Sequence, residues 1–131
     1  MATWRSLSKD SWQSAKLLLK EKHARSAISR AYYSAYSAVA NVMVERGVVF
    51  PHDWNNPGHD QLIPWVSGQR NWSRKRRRIL LKSLRRIRKA REDADYRPGL
   101  SIDIEEAIQS LKDARVIRNA VETDDEANRK K

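Results

Sequence analysis

The sequence predicts an all-α fold, a four-helix bundle with one short additional helix. Apolar residues recur at helical spacing in four long segments, and no segment shows the alternation of a strand. Stretches rich in proline, glycine and asparagine separate the segments. The 131 residues suffice for a single domain with one core. We expect a helical domain over residues 1–122 and a polar, disordered tail over 123–131, which has no large apolar residue to bury.

The first two helices are predicted from their apolar residues. The first runs from about Trp4 to Lys22, and the second spans about Ala24 to Arg46 and stops at Gly47. The second helix is apolar around most of its circumference, so we expect it to be central and covered on several sides. One of its stripes consists of small side chains, which allow close helix packing: Ala24, Ala27, Ala31, Ala35, Ala38 and Val42.

Three further helices are predicted after a loop over Val48–Gly58. A short helix occupies about Gln61–Val66. The next helix begins near Ser73, a suitable N-cap, and ends before Pro98-Gly99, which cannot continue a helix. Asp103 with Glu106 resembles a capping box at the start of the last helix.

The positive charge is concentrated in the fourth predicted helix. Residues 70–97 contain 13 Lys or Arg and 3 acids, a net of +10, whereas the rest of the chain has a net of +1. An ordinary solvated face mixes both signs, so we favour binding of RNA phosphates over solvation. An acidic protein surface is the competing partner. The cations predicted to form one outer face are Lys75, Arg78, Lys82, Arg85, Arg86 and Lys89.

Arg91 lies on the opposite, apolar ridge of the same helix, in line with Leu80, Leu84 and Ile87. A charge on a buried stripe costs free energy unless it is paired or used. Two interpretations stay open. Asp95, four residues on, is placed to pair with Arg91, or the planar guanidinium binds phosphate oxygens bidentately.

Composition disfavours several classes of protein. The absence of cysteine rules out disulfides and thiolate chemistry and fits a reducing, cytoplasmic location. The histidines and acids show no metal-ligand spacing, so we expect no metal and no cofactor. No apolar run is long enough to cross a membrane, and the N-terminus lacks the apolar core of a signal peptide.

Two segments resemble the landmarks of HEPN-domain proteins, which are small prokaryotic helical bundles. The run Arg25-Ser-Ala-Ile-Ser-Arg-Ala-Tyr-Tyr-Ser-Ala-Tyr-Ser-Ala38 resembles their second helix, and Ala90-Arg-Glu-Asp-Ala-Asp-Tyr96 resembles the end of their fourth. The resemblance spans roughly Trp4 to Val121. It implies a HEPN-like four-helix bundle and a homodimer that buries the motif helix near its twofold axis. It also implies a role beside a minimal nucleotidyltransferase antitoxin or within phage defence.

Many members of this family cleave RNA without a metal, using an arginine followed by a histidine. By position that arginine is Arg91, but Tyr96 stands where the histidine would be. Arg91 suits stabilisation of the phosphorane charge. The proton transfers would then fall to Tyr96 or to His59. A tyrosine phenol ordinarily has a pKa near 10, so Tyr96 would need nearby cations that lower its pKa. Two placements of His59 stay open: its loop folds back towards the cleft at Arg91, or His59 caps the short helix that follows.

The candidate catalytic residues are therefore Arg91 and Tyr96, by position in the family motif, and His59 as a replacement base, with Asp95, Arg30 and Tyr33 in supporting positions. The first functional hypothesis is a metal-independent endoribonuclease in a toxin–antitoxin or phage-defence module. The alternative is a non-catalytic RNA-binding, regulatory or structural subunit that has lost the catalytic histidine.

Overall fold

The computed structural model describes residues 3–50 and 56–129, with side chains through Glu122. Within those residues the chain forms five α-helices and no strand, which confirms the predicted all-α fold. The helices are α1 (Trp4–Lys20), α2 (Ala24–Glu45), α3 (Leu62–Ser67), α4 (Arg74–Tyr96) and α5 (Ile104–Arg129). None of them is long and apolar enough to cross a membrane.

Helix α2 is the central helix, packed against α1, α4 and α5. The predicted stripe of small residues is buried from Ala27 onwards, with Ala27, Ala31 and Ala35 at 0% exposure, and Ala24 is partly buried. Ser8 of α1 and Ser34 of α2 each donate a hydroxyl hydrogen bond of 2.7 Å to the other's backbone carbonyl. These reciprocal bonds satisfy two buried hydroxyls and hold the two helix backbones close together.

Helix α2 ends at the predicted glycine. Gly47 has a φ of 78°, and the N–H groups of Gly47 and Val48 donate to the carbonyls of Val44 and Met43, both at 3.0 Å. This Schellman arrangement needs a left-handed residue, which glycine adopts without steric cost. At the end of α1 the same role falls to Lys22, with a φ of 65°.

Helices α4 and α5 begin at the predicted caps. The Ser73 hydroxyl accepts a hydrogen bond from the Arg76 N–H at 3.0 Å, and the Asp103 carboxylate accepts one from the Glu106 N–H at 2.9 Å. The predicted tail, 123–131, is partly helical, since the backbone of α5 continues to Arg129. Its side chains lie outside the described residues, so the boundary at residue 122 stays a prediction.

The C-terminal end of α4 is held by one side chain of α2. The Arg25 guanidinium donates to the carbonyl of Ala94 at 2.9 Å, to that of Arg97 at 3.2 Å, and to that of Leu100. A positive charge is favourable there because the helix dipole is negative at its C-terminus. The contact places the last turn of α4 beside the first half of α2.

Candidate functional site

Arg91 lies where α4 crosses α2, with a side chain that is only 12% exposed. Its Nε donates to the Asp95 carboxylate at 3.1 Å, and its Nη2 donates to the hydroxyls of Tyr33 at 3.2 Å and Tyr96 at 3.1 Å. The i,i+4 pairing with Asp95 that the sequence offered is therefore present. Nη1 makes no hydrogen bond within the described part of the chain, so the guanidinium keeps donor capacity for a ligand.

Three phenol rings surround this guanidinium. The Arg91 Cζ lies 5.2 Å from the ring centroid of Tyr32, 5.6 Å from that of Tyr33 and 5.1 Å from that of Tyr96. Aromatic faces attract a cation at these distances. Partial burial acts to lower the pKa of Arg91, but the phenols of Tyr33 and Tyr96 outweigh it and raise that pKa. Arg91 is therefore a fixed, permanent positive charge.

Arg91 and its partners Asp95, Tyr32, Tyr33 and Tyr96 form a group that we call the Arg91 cluster, and the structure brings His59 into it. The His59 Nδ1 lies 2.5 Å from the hydroxyl of Tyr32, whose ring also contacts Arg91, and the imidazole stacks on Tyr36 with centroids 4.7 Å apart. The residue at the N-cap of α3 is Gln61 instead. Of the two roles that the sequence left open for His59, the structure places it in the cluster.

Burial and charge set the protonation of this cluster. Burial, followed by the charges of Arg91 and Arg88, lowers the pKa of His59, so the imidazole is neutral at neutral pH. Burial raises the pKa of Tyr32 and of Tyr36, so both phenols keep their protons. In the tautomer whose Nδ1–H donates to the Tyr32 hydroxyl, the neutral imidazole keeps its Nε2 lone pair and can accept a proton from a substrate held by the guanidinium.

The three supporting residues lie around Arg91. Asp95 and Tyr33 contact it directly, and the Arg30 Cζ lies 5.9 Å from the centroid of the Tyr33 ring. Tyr96 is 67% exposed, so its hydroxyl is accessible to a ligand. In the described residues, no group of three or more His, Cys, Asp or Glu side chains is placed to hold a metal ion.

The predicted basic face is divided by the structure. Half of it lines a groove of about 560 Å³ beside the first half of α4, which we call the α4 groove. The groove contains Arg78, Lys82 and Arg85 of the predicted set and three cations that sequence reasoning missed. The lining residues are Ser67, Arg70, Arg74, Arg77, Arg78, Leu81, Lys82 and Arg85. The missed arginines belong to the same basic run, but only the position of α3 shows that they share a groove.

The other three predicted cations lie outside the α4 groove. Lys75 is exposed, and Lys89 pairs with Asp93 at 3.2 Å. The Arg86 Nε donates to Asp113 at 2.8 Å and its Nη2 donates to the other carboxylate oxygen at 2.5 Å. Since the Asp113 side chain is 2% exposed, Arg86 has a structural partner on α5, and its contact with RNA stays a prediction.

Comparison with known proteins identifies the family. The HEPN domain model matches residues 1–124, so the chain belongs to the HEPN domain family. No curated protein matches the sequence. Among solved structures, the protein TT1696 from Thermus thermophilus has the same fold, with a TM-score of 0.71 and 18% sequence identity. The match covers 92% of this chain and 94% of that one. The resemblance found in the sequence is thereby confirmed.

Proposed function

We propose that this HEPN protein binds RNA through the α4 groove. One observation carries the proposal: six cations line this groove, and five of them make neither an ion pair nor a side-chain hydrogen bond within the described residues, whereas Arg77 donates to the Ser67 carbonyl at 3.3 Å. The five are Arg70, Arg74, Arg78, Lys82 and Arg85. Like charges gathered in this way repel one another, and a bound polyanion relieves that repulsion.

The spacing of these cations suits a nucleic acid strand. Arg74, Arg78 and Lys82 follow one another at intervals of four residues, about 6 Å along the helix axis. That interval is comparable to the separation of successive phosphates along one strand. The acidic protein considered as an alternative fits less well, because Leu81 is the single apolar side chain among the eight lining residues and protein interfaces have an apolar core.

RNA binding is tested by fluorescence anisotropy with a labelled single-stranded RNA. The groove variant Lys82→Gln/Arg85→Gln is compared with Lys112→Gln/Arg115→Gln, which removes the same charges from exposed positions on α5. At 0.1 M salt the groove variant should bind about 25-fold more weakly. Each neutralised phosphate of a single strand contributes about 0.7 log units of affinity per decade of salt, and two such contacts are lost over the one decade that separates 0.1 M from about 1 M, where this contribution vanishes. Equal affinities for the parent and both variants would contradict the proposal.

A second function, metal-independent RNA cleavage, is favoured by the contact of both Arg91 and His59 with Tyr32. In the reaction the 2′-oxygen forms a bond to phosphorus and the bond to the 5′-oxygen breaks. His59 accepts the 2′-hydroxyl proton, Arg91 stabilises the phosphorane charge, and the exposed Tyr96 hydroxyl donates a proton to the leaving oxygen. The products are a 2′,3′-cyclic phosphate and a 5′-hydroxyl.

Cleavage is tested in EDTA with the parent, Arg91→Ala and His59→Gln, and the 3′ ends are identified by mass spectrometry. Cyclic phosphate ends from the parent alone would support the assignment. Binding without cleavage would leave RNA binding as the function and remove the catalytic role. Equal cleavage by all three proteins would mean that the site lies elsewhere.

The partners implied by the family belong to the same proposal. Light scattering tests whether the chain is a homodimer, and co-purification tests for a minimal nucleotidyltransferase antitoxin. Support for a toxin–antitoxin or phage-defence role would come from such a partner or from a phenotype in cells.

A further inference from the structure

A second groove lies between the first half of α2 and the last turn of α4, and we call it the α2–α4 groove. It has a volume of about 270 Å³ and is lined by Arg25, Ser26, Ser29, Arg30, Ala94 and Asp95. The groove adjoins the Arg91 cluster, because Asp95 accepts the hydrogen bond from the Arg91 Nε at 3.1 Å. Along α4 the order is therefore the α4 groove, then Arg91, then the α2–α4 groove.

Two guanidinium groups flank one phenol at this groove. The Arg91 Cζ lies 5.6 Å from the Tyr33 ring centroid and the Arg30 Cζ lies 5.9 Å from it. Arg91 is held in place by three hydrogen bonds. Arg30 is exposed and has no hydrogen bond or ion pair in the described part of the structure. One cation is thus fixed and the other is available to a ligand.

Asp95 occupies the position in which an anion would meet these groups. Its carboxylate accepts from the Arg91 Nε at 3.1 Å and from the Ser29 hydroxyl at 3.4 Å. Guanidinium and hydroxyl donors are also the groups that bind phosphate oxygens. The Asp95 side chain is 26% exposed and lies in the last turn of α4, so rotation towards solvent can vacate the position.

We infer that the α2–α4 groove is a phosphate subsite whose internal anion is Asp95. An RNA phosphate entering the groove displaces the Asp95 carboxylate and takes its bonds to Arg91 and Ser29, while Arg30 supplies the second positive charge. Asp95 therefore competes with RNA. The inference rests on the proposed RNA binding, since the ligand is the phosphodiester backbone of RNA.

The test measures the affinity for a labelled single-stranded RNA at constant ionic strength. Asp95→Asn should bind about fivefold more tightly and Arg30→Gln about fivefold more weakly, as expected for one charge-assisted hydrogen bond partly screened by solvent. Arg115→Gln is the matched control, since the Arg115 Cζ lies 5.8 Å from the Trp12 ring and the residue is likewise exposed. A merely structural loss would not tighten binding, and dependence of the gain on Arg91 separates it from the general effect of removing one negative charge.

The gain should also depend on Arg91. In an Arg91→Gln background, Asp95→Asn should no longer change the affinity, because the two groups that compete for the guanidinium have lost it. Should Asp95→Asn fail to fold, Asp95→Ser makes the same comparison.

Unchanged or weaker binding by Asp95→Asn would overturn the competition, and equal affinities of Arg30→Gln and Arg115→Gln would overturn the subsite. Neither result affects the α4 groove, which Lys82→Gln/Arg85→Gln tests separately. A parent protein that binds no RNA would overturn both proposals.

Discussion

Salt should weaken RNA binding with a steepness set by the cations of the α4 groove. The five lining cations that make neither an ion pair nor a side-chain hydrogen bond in the described residues are Arg70, Arg74, Arg78, Lys82 and Arg85. If each neutralises one phosphate of a single strand, the logarithm of the binding constant falls with a slope of about −3.5 against the logarithm of salt concentration. A fourfold rise in salt should then reduce the affinity about 130-fold.

Removal of two of these cations should flatten the dependence. Lys82→Gln/Arg85→Gln leaves three, for which the slope is about −2.1, and the same fourfold rise in salt reduces affinity about 18-fold. Lys112→Gln/Arg115→Gln should keep the slope of the parent, because both residues lie on α5 and away from the groove lining. Anisotropy titrations over a salt series at fixed pH give all three slopes.

Two results would refute the reasoning. A parent slope near zero would show that binding does not release counterions from phosphates. Equal slopes in the groove variant and the parent would show that RNA binds without contact to Lys82 and Arg85, and a flattened slope in the α5 variant would place the contacts there.

Other predictions follow from single contacts. Arg86→Ala should destabilise the fold by about 3 kcal/mol, because the buried Asp113 carboxylate loses its counter-charge and keeps only the Gln109 amide at 3.3 Å. Asp113→Leu should cost about 1 kcal/mol or less, because the Arg86 side chain is 45% exposed and water can solvate it. The reverse order in urea denaturation would contradict the structural role of the pair. Because the pKa of His59 is lowered in the folded chain, stability should fall as pH decreases below about 6.5, where the unfolded chain takes up that proton. The melting temperature of His59→Gln should fall less over this range, and parallel losses would exclude the effect. Arg25→Lys should speed amide hydrogen exchange in the last turn of α4, since a single ammonium lacks the two nitrogens with which Arg25 reaches the carbonyls of Ala94, Arg97 and Leu100. Unchanged protection of Ala94 to Tyr96 would count against this stabilising role of Arg25.

Much of the fold could be predicted because its signals are local. The ends of α1, α2 and α3 lie within two residues of those predicted. The caps Ser73 and Asp103 and the terminator Gly47 act on groups only a few residues away. The pairing of Arg91 with Asp95 was likewise predictable, since four residues on a helix bring two side chains to the same face.

The candidate site depended on contacts between residues far apart in the chain. His59 meets Tyr32 across 27 residues, and Arg86 meets Asp113 across another 27. A helical projection gives the direction of Arg86 but not the helix that covers it, and it assigns no direction to a histidine in a loop. Neither contact has a local sequence signal.

Local patterns of polarity, capping and charge thus account for the helices, for the central position of α2 and for the anionic character of the expected ligand, because these depend on neighbours along the chain. The division of the basic face, the placement of His59 beside the Arg91 cluster and the groove that joins Arg30 to Asp95 were decided by the packing of α2, α3, α4 and α5. Each requires side chains from different elements to converge in space, and no one-dimensional pattern contains that information.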